Sequence, residues 1–178
     1  MPTSPSMIDW SAARDMFRRA FRSSLHFSIA TVDEDGLPHV SPIGSVLLTE
    51  PGHGIFFDMF TSQLGQNLEV DPRVCVLAVD SGKFFWLKSL ARGRFAAPPA
   101  LRLVGTAGPL RPATKAEQER WLRRVRPVRR LVGHGLLWGD FSQVRDLDFH
   151  RAIPVHLGAT TRHLGHPMVP AVRGDGID

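Results

Sequence analysis

Four histidines near the C-terminus are the side chains of this 178-residue chain with the chemistry to bind a metal ion. They are His150, His156, His163 and His166. A zinc site needs ligands that converge within about 2.1 Å of one ion, usually from short motifs of fixed spacing. These spacings form no such motif, and no carboxylates are interleaved with them. We therefore predict no metal site, and exposed loop histidines are the ordinary interpretation.

Motifs for nucleophilic or nucleotide chemistry are missing from the sequence. The chain has no Gly-x-Ser-x-Gly elbow, no Gly-Lys-Ser phosphate loop and no two-glycine dinucleotide fingerprint. Ser41 precedes a proline, which argues against a serine hydrolase. The single cysteine, Cys75, lies in a predicted strand and is interpreted as a small buried hydrophobe. If the chain is an enzyme, we expect an organic cofactor to supply the reacting atoms.

The balance of charge is basic, with 22 Lys and Arg against 17 Asp and Glu, a net charge of +5. Such a balance suits a nucleic-acid partner. The arginines are dispersed, however, with one concentration over residues 120–130 and no nucleic-acid motif. We predict a solvated basic face and no nucleic-acid partner, and keep nucleic-acid binding as the least favoured alternative.

No apolar run approaches the roughly 20 residues that a membrane span requires. The N-terminal residues lack the basic start and apolar core of a secretory signal. One cysteine cannot form an internal disulfide, which fits a reducing compartment. The sequence therefore predicts a cytoplasmic protein that does not bind a membrane.

Alternating apolar residues predict a β-hairpin. Residues 25–32 put every second side chain on one face of a strand, namely Leu25, Phe27, Ile29 and Thr31. The acidic run at 33–35 followed by Gly36 is typical of a turn, because carboxylates bond local amides and glycine tolerates a positive φ. A second strand follows over residues 39–48. Beyond it we predict a strand over 55–60, a short helix that carries Gln66 and Asn67, and a strand over 73–79.

Helices and further strands flank this region. After a loose tail at residues 1–8, a helix begins near Asp9, with an apolar face of Ala13, Met16, Phe17, Ala20 and Phe21. A strand is predicted over 101–110, and Thr114 with Glu117 forms a capping box that opens another helix. The buried side of that helix is predicted to hold Trp121, Leu122 and Val125. The last strand is predicted over 151–157, where Pro154 implies an edge or a bulge.

Three stretches of the chain resemble one known family. They are ATVDEDGLPHVSPIG at 30–44, the strand at 55–60, and TSQLGQNLEVDPRVCVLAV at 61–79. Together they resemble the pyridoxamine 5′-phosphate oxidase-like superfamily of FMN-binding split β-barrels. The resemblance implies a mainly β fold with flanking helices, a six-stranded antiparallel split barrel formed by residues 1–178 as a single domain. Residues 84–100 are then a helical insertion, either a lid or a dimer contact, and residues 158–178 a C-terminal tail.

The resemblance also implies a cofactor groove. In such proteins the hairpin forms one wall, and the hydroxyl-rich turn into the short helix meets the cofactor phosphate. The implied cofactor-binding residues are His39, Ser41, Pro42, Met59, Phe60, Thr61, Ser62, Gln66 and Asn67. No catalytic residue is assigned; His39 is the best guess for a proton donor, and a hydrogen-bonded strand histidine is the ordinary interpretation.

One departure from the family pattern concerns the phosphate. Members usually carry a basic residue or two between the positions of Ser62 and Asn67, where this chain has Gln-Leu-Gly-Gln. A phosphate would then depend on hydroxyls, on amides at the helix start, and on a cation from elsewhere, with Arg92 and Arg94 as candidates. FMN is the first choice of cofactor. A deazaflavin comes next, and haem bound through His163 or His166 is a further alternative.

The function that the resemblance implies is a flavin-dependent oxidoreductase that acts on an unidentified small substrate. A homodimer with the cofactor groove at the subunit interface is expected with it. The alternatives are a deazaflavin-dependent reductase, a non-catalytic split barrel that binds haem or another tetrapyrrole, and a barrel that keeps the fold without a cofactor.

Overall fold

Alternating apolar residues build one antiparallel sheet, and the first helix packs against it. The computed structural model describes residues 9–59, 62–126 and 141–165. Within them the helices are α1 (Trp10–Ser24), α2 (Ser62–Val70), α3 (Lys83–Arg92) and α4 (Lys115–Val125), with a 3₁₀ helix over Gly158–Leu164. The strands are β1 (Phe27–Val32), β2 (Pro38–Ile43), β3 (Leu47–Leu48), β4 (His53–Phe57), β5 (Arg73–Val79), β6 (Ala100–Ala107), β7 (Arg111–Pro112) and β8 (Gln143–Val155).

The strands follow the order β2-β1-β5-β6-β8-β4-β3, and β7 pairs with β8. Every pairing is antiparallel. This is the mainly β split barrel with flanking helices that the sequence predicts. The described residues contain eight strands rather than six, because β3 and β7 are separate pairings of two residues each.

The predicted hairpin turn is confirmed. Oδ1 of Asp33 accepts hydrogen bonds from the backbone N–H of Asp35 at 3.1 Å and of Leu37 at 2.8 Å. Gly36 has a φ of +80°, which favours glycine. Leu25 does not join the strand, because it ends α1 with a φ of 62° and donates its N–H to the carbonyl of Phe21. The buried face of β1 therefore begins at Phe27.

The predicted second strand, residues 39–48, is interrupted after Ile43. Ser45 causes the break, because its Oγ donates to the carbonyl of Phe57 at 2.8 Å and accepts from the N–H of Phe57 at 3.1 Å. The chain thereby passes from β2, at one edge of the sheet, to β3, at the other edge. The predicted strand over 55–60 is β4, which ends at Phe57, so Met59 lies beyond the strand.

Two hydrophobic clusters hold the sheet and helices together. The larger joins the inner face of the barrel to the predicted face of α1 and to Leu64 and Leu68 of α2. The smaller cluster lies between α4 and the other face of β4 and β8, where Trp121 and Phe57 are completely buried. Phe21 is half-buried and packs against both clusters. The helices thus cover the two faces that the strands leave apolar.

The last strand is longer than predicted. It runs over Gln143–Val155 instead of beginning at residue 151, and its first half contains three charged residues, Arg145, Asp146 and Asp148. β4 pairs with β8 only from Val144 to Asp148, whereas Pro154 pairs with Leu101 of β6 alone. Pro154 therefore occupies an edge position on one side, as predicted, where its missing N–H breaks no ladder bond.

The insertion at residues 84–100 contains the predicted helix. α3 ends at Gly93, which has a φ of +64°. Phe95 is buried against Phe85 and Trp86 and anchors the segment, and its N–H donates to the carbonyl of Thr160 at 3.0 Å. The outer side of α3 exposes three large apolar side chains, Phe84, Leu87 and Leu90.

α4 begins with the predicted capping box, in which Thr114 and Glu117 exchange side-chain and backbone hydrogen bonds. Trp121 and Val125 are buried as predicted, but Leu122 is 43% exposed, so its predicted burial is wrong. Arg124 turns inward instead, because its guanidinium stacks 3.8 Å from the ring centroid of Phe21. The predicted solvated face of arginines therefore does not include this residue.

A pH-dependent loss of stability is expected at the start of α4. Arg111 donates to Glu117 at 2.7 Å and holds the pKa of that carboxyl at about 2, below its ordinary 4.5. Since the folded-state pKa is the lower one, this contribution is present above pH 4.5 and is lost as the pH falls towards 2. Glu117→Gln keeps a capping box but removes the ion pair, so urea unfolding at pH 7 should show a loss of about 1 kcal/mol. At pH 2 most of this difference should be gone, and a loss that keeps its pH 7 size there would contradict the assignment.

Two further observations concern metal binding and membrane crossing. In the described part of the chain, no three His, Cys, Asp or Glu residues are placed to hold a metal ion, and His166 lies outside that part. No described helix is both long and apolar enough to cross a membrane.

Candidate functional site

Two of the predicted cofactor residues lie on the inner face of β2. His39 pairs with Thr31 of β1, and Ser41 pairs with Ile29. Residues directly opposite in an antiparallel pair share a face, so His39 and Ser41 point to the same side as the buried face of β1. Nδ1 of His39 is 3.4 Å from Oγ of Ser41, a long hydrogen bond. Pro42 is exposed on the opposite face, and β2 does not bring it to this group.

Asn67 connects α2 to the same face. It is 2% exposed, donates from Nδ2 to Oγ1 of Thr31 at 3.0 Å, and accepts at Oδ1 from Gln63 at 2.9 Å. The side chains of Gln63, Asn67, Thr31, His39 and Ser41 therefore form a continuous line from the first turn of α2 to β2, which we call the polar row. Gln63 and Thr31 were not predicted as site residues, although Gln63 follows the predicted Ser62 and Thr31 pairs with the predicted His39.

The other predicted residues divide into four groups. Gln66 is exposed on α2 and makes no described contact with the polar row. Met59 is half-buried and packs against the smaller hydrophobic cluster. Ser62 is the first residue of α2. Phe60 and Thr61 lie outside the described residues.

A buried arginine that the sequence analysis missed lies beside α2. Arg145 of β8 is 4% exposed at its side chain and pairs with Asp58 at 3.0 Å and with Glu69 at 2.7 Å. A Cβ built on Gly65, in the first turn of α2, would lie 3.4 Å from Oδ2 of Asp58 and 3.9 Å from Nη2 of Arg145. The pairs tie β8, the end of β4 and α2 together. The available signal was an arginine at an inward position among apolar residues in VRDLDF.

Arg92 and Arg94 do not lie near α2 within one chain. α2 precedes the Arg73 end of β5, whereas α3 follows its Val79 end, about 20 Å along the strand. Arg145 lies beside α2, but it is already paired with two carboxylates. It is therefore not a free cation for a phosphate at α2.

The N–H groups at the start of α2 can bind an anion without the help of a dedicated cation. The first four N–H groups of a helix have no partner within it, and α2 carries no acidic residue in its first turn. Such a helix start attracts a phosphate through its amides and dipole. The donors that the structure describes are therefore the backbone N–H groups at the start of α2, and they suit one phosphate group.

Cys75 does not contribute a nucleophile. It is half-buried on β5, and burial raises the pKa of its thiol against the smaller, opposite effect of Arg102. The thiol is thus protonated at neutral pH, as expected for a residue that serves packing.

We expect Asn67→Ala to lower the free energy of unfolding by about 2 kcal/mol, because it removes two hydrogen bonds and leaves polar groups of the polar row buried. The matched control is Gln66→Ala, at the next position on α2, where the side chain is exposed and the expected change is below about 0.5 kcal/mol. Urea denaturation measures both. Equal losses would show that Asn67 does not hold α2 against β1.

Comparison with known proteins agrees with the fold and the family. The family model for pyridoxamine 5′-phosphate oxidase matches residues 13–148. No curated protein matches the chain. Among solved structures, HupZ of Group A Streptococcus is 20% identical over 83% of this chain and 96% of its own, with a TM-score of 0.53. An FMN-binding protein of Syntrophomonas wolfei is 10% identical over 84% and 93%, with a TM-score of 0.54.

A third structure, an F420 reductase, is 16% identical over 76% of this chain and 94% of its own, with a TM-score of 0.50. At these identities the structures support the fold alone, whereas the family match covers most of the chain. The chain therefore belongs to the pyridoxamine 5′-phosphate oxidase family.

Proposed function

We propose that this protein is a flavin-dependent oxidoreductase that binds FMN at the start of α2, beside the polar row, and acts on a small substrate. The observation that carries the proposal is α2 in a chain of this family, since its first turn has no acidic residue and its last turn is tied to β8 by the Arg145–Glu69 pair. A phosphate at a helix start needs donors in fixed positions, and the paired guanidinium supplies that rigidity.

Each part of the chain has a separate role in this proposal. The α2 amides with Thr61 and Ser62 bind the phosphate, and His39 and Gln63, the members of the polar row that are not buried, bond the polar edge of the ring. Bound FMN would supply hydride chemistry to an oxidised or unsaturated substrate. Arg145 is a positioning residue, since it acts through α2. The cytoplasm is the compartment we propose, in keeping with the free thiol of Cys75.

A second copy of the chain is proposed to complete the groove. β2 ends the sheet, and among the described residues it pairs only with β1. Its outward side chains include Val40, which is 62% exposed, and Leu37 in the preceding turn is 60% exposed. An edge strand with exposed apolar side chains is one that proteins normally cover. A two-fold homodimer covers the β2 edge of both copies at once.

A deazaflavin-dependent reductase is the second candidate. The absence of a basic residue between Ser62 and Asn67, and the commitment of Arg145 to carboxylates, favour a cofactor whose phosphate lies elsewhere. Haem or another tetrapyrrole is the third, since His163 is exposed on the 3₁₀ helix and free to approach a ligand from solvent.

Absorption spectra separate these candidates. Flavin gives bands near roughly 370 and 450 nm and haem one intense band near roughly 400 nm, because the chromophore and not the fold sets them. The protein as purified should show the flavin spectrum, and it should bind FMN at least about tenfold more tightly than riboflavin, which lacks the phosphate.

A charge variant tests the place of binding. Ser62→Asp puts a carboxylate at the start of α2, which the helix tolerates and a phosphate does not. We expect FMN affinity to fall at least about tenfold and riboflavin affinity to stay within twofold. Ser81→Asp, in an exposed loop, is the matched control. Equal affinity for FMN and riboflavin in the parent, or an FMN affinity unchanged by Ser62→Asp, would refute the proposed site.

A further inference from the structure

A cavity of about 590 Å³ lies between α1, α4 and β3. Five arginines line it, Arg14, Arg18, Arg22, Arg120 and Arg124. Among the residues that the structure describes, no Asp or Glu lines it. Its apolar wall includes Phe17, Phe21 and Val46. We call it the arginine cavity; it shares no residue with the polar row or α2.

Three of these guanidinium groups are held by neutral partners. Arg124 donates to the carbonyl of Val46 at 2.5 Å, Arg120 to that of Leu48 at 3.0 Å, and Arg14 to that of Thr49. These carbonyls belong to β3 and its flanks, at the edge of the sheet. A guanidinium has five N–H donors, and each of these bonds uses one nitrogen. The arginines are thereby fixed in place while their charge is not neutralised.

The charge of the arginine cavity is poorly balanced. Of the five arginines, Arg18 alone has a carboxylate partner among the described contacts, Asp15 at 2.8 Å, and both side chains are more than half exposed. Burial and then the neighbouring Arg120 lower the pKa of Arg124 to about 10. Both effects disfavour the charged form, whereas the charge of a bound anion would favour it.

The walls select what kind of anion fits. The Arg124 guanidinium stacks on Phe21 with its centre 3.8 Å from the ring centroid, so charge and aromatic surface adjoin. The volume lies in the range of pockets that hold small organic ligands. The planar guanidinium group of an arginine can form two parallel hydrogen bonds to the oxygens of a phosphate or carboxylate group, and several arginines are present here.

We propose that the arginine cavity binds a small organic dianion with an apolar ring, a phosphate monoester or an aromatic dicarboxylate. The anionic group lies among Arg22, Arg120 and Arg124, and the ring lies against Phe17 and Phe21. This site is independent of the proposed flavin site. In the competing account, the arginines only cover the exposed edge of β3.

Calorimetric titration with four probes tests the ligand class. Phenyl phosphate carries both the ring and the dianion, inorganic phosphate lacks the ring, benzyl alcohol lacks the charge, and phthalate replaces phosphate by two carboxylates. We expect phenyl phosphate to bind about tenfold more tightly than inorganic phosphate, since the ring buries apolar surface, and benzyl alcohol not to bind. The comparison of phthalate with phenyl phosphate identifies the preferred anionic group.

Matched variants test the place. Arg22→Gln and Arg124→Gln should each weaken phenyl phosphate binding about tenfold or more. Arg123→Gln removes the same charge from an exposed position on α4 outside the cavity and should change it less than twofold. If Arg124→Gln does not fold, Arg22→Gln decides, because Arg22 is exposed and makes no described hydrogen bond.

Three results would overturn the proposal. The first is no binding of phenyl phosphate or phthalate at millimolar concentration. The second is equal weakening by Arg22→Gln and Arg123→Gln, which would indicate attraction by net charge alone. The third is loss of phenyl phosphate binding in Ser62→Asp with the arginine variants unaffected, which would place the ligand at α2.

Discussion

Replacing Gly105 with alanine is expected to lower the free energy of unfolding by about 4 kcal/mol or to prevent folding. A Cβ at this position would overlap the carbonyl oxygen of Asp148 and lie 2.8 Å from its carbonyl carbon and 2.9 Å from Cα of Phe149. These are backbone atoms of β8, which β6 and β4 hold from both sides. The register shift between Val104 and Gly105 brings the strands this close, so only glycine fits.

Gly108→Ala is the matched control for this prediction. A Cβ there would meet atoms of Asp146 at 3.6 Å or more, which is ordinary van der Waals contact. We expect a change below about 1 kcal/mol for the control. Urea unfolding followed by circular dichroism measures both variants, and a Gly105→Ala protein as stable as Gly108→Ala would mean that β6 and β8 do not approach as described.

Arg145→Met is expected to lower the free energy of unfolding by about 3 kcal/mol and to weaken FMN binding at least about tenfold. The side chain of Arg145 is 4% exposed and that of Asp58 is 10% exposed, so the variant leaves a buried carboxylate without this cation. Arg145 also contacts Glu69 of α2. Its loss is therefore expected to weaken FMN binding through the position of α2. A purely structural role would change stability and leave the ratio of FMN to riboflavin affinity unaltered.

Two further variants keep the Arg145 prediction testable. Glu69→Gln removes only the charge of Glu69, whose side chain is 65% exposed. It should lower the free energy of unfolding by less than about 1 kcal/mol. Asp58→Asn added to Arg145→Met removes the buried charge and should recover at least about 1 kcal/mol. An Arg145→Met protein that loses less than about 1 kcal/mol would contradict the assignment.

Local chemistry made much of the fold predictable. The turn at 33–36, the capping box of Thr114 and the face of α1 each depend on neighbours in sequence, and the structure has all three. The first half of β8 was missed because Arg145 interrupts an apolar pattern, and its burial depends on Asp58 and Glu69, far away in the chain. Leu122 and Arg124 were assigned to the wrong sides of α4 because cation–π stacking on Phe21 outweighs hydropathy there.

The candidate site was predictable only in part, for a physical reason. Asn67 and His39 carry polar groups at positions that the family pattern marks, and the fold brings them to one face. Pro42 and Gln66 share the pattern but point to solvent. The sequence also could not show that Ser45 ends β2, since its partner Phe57 lies twelve positions along the chain on another strand.

Native mass spectrometry of the protein saturated with FMN tests the central claim most directly, because it counts chains and cofactors in one measurement. We expect a species of two 19.8 kDa chains with two FMN molecules, and a species without FMN for Ser62→Asp. A monomer that retains FMN, or a dimer that takes up no FMN at any concentration, would contradict the account.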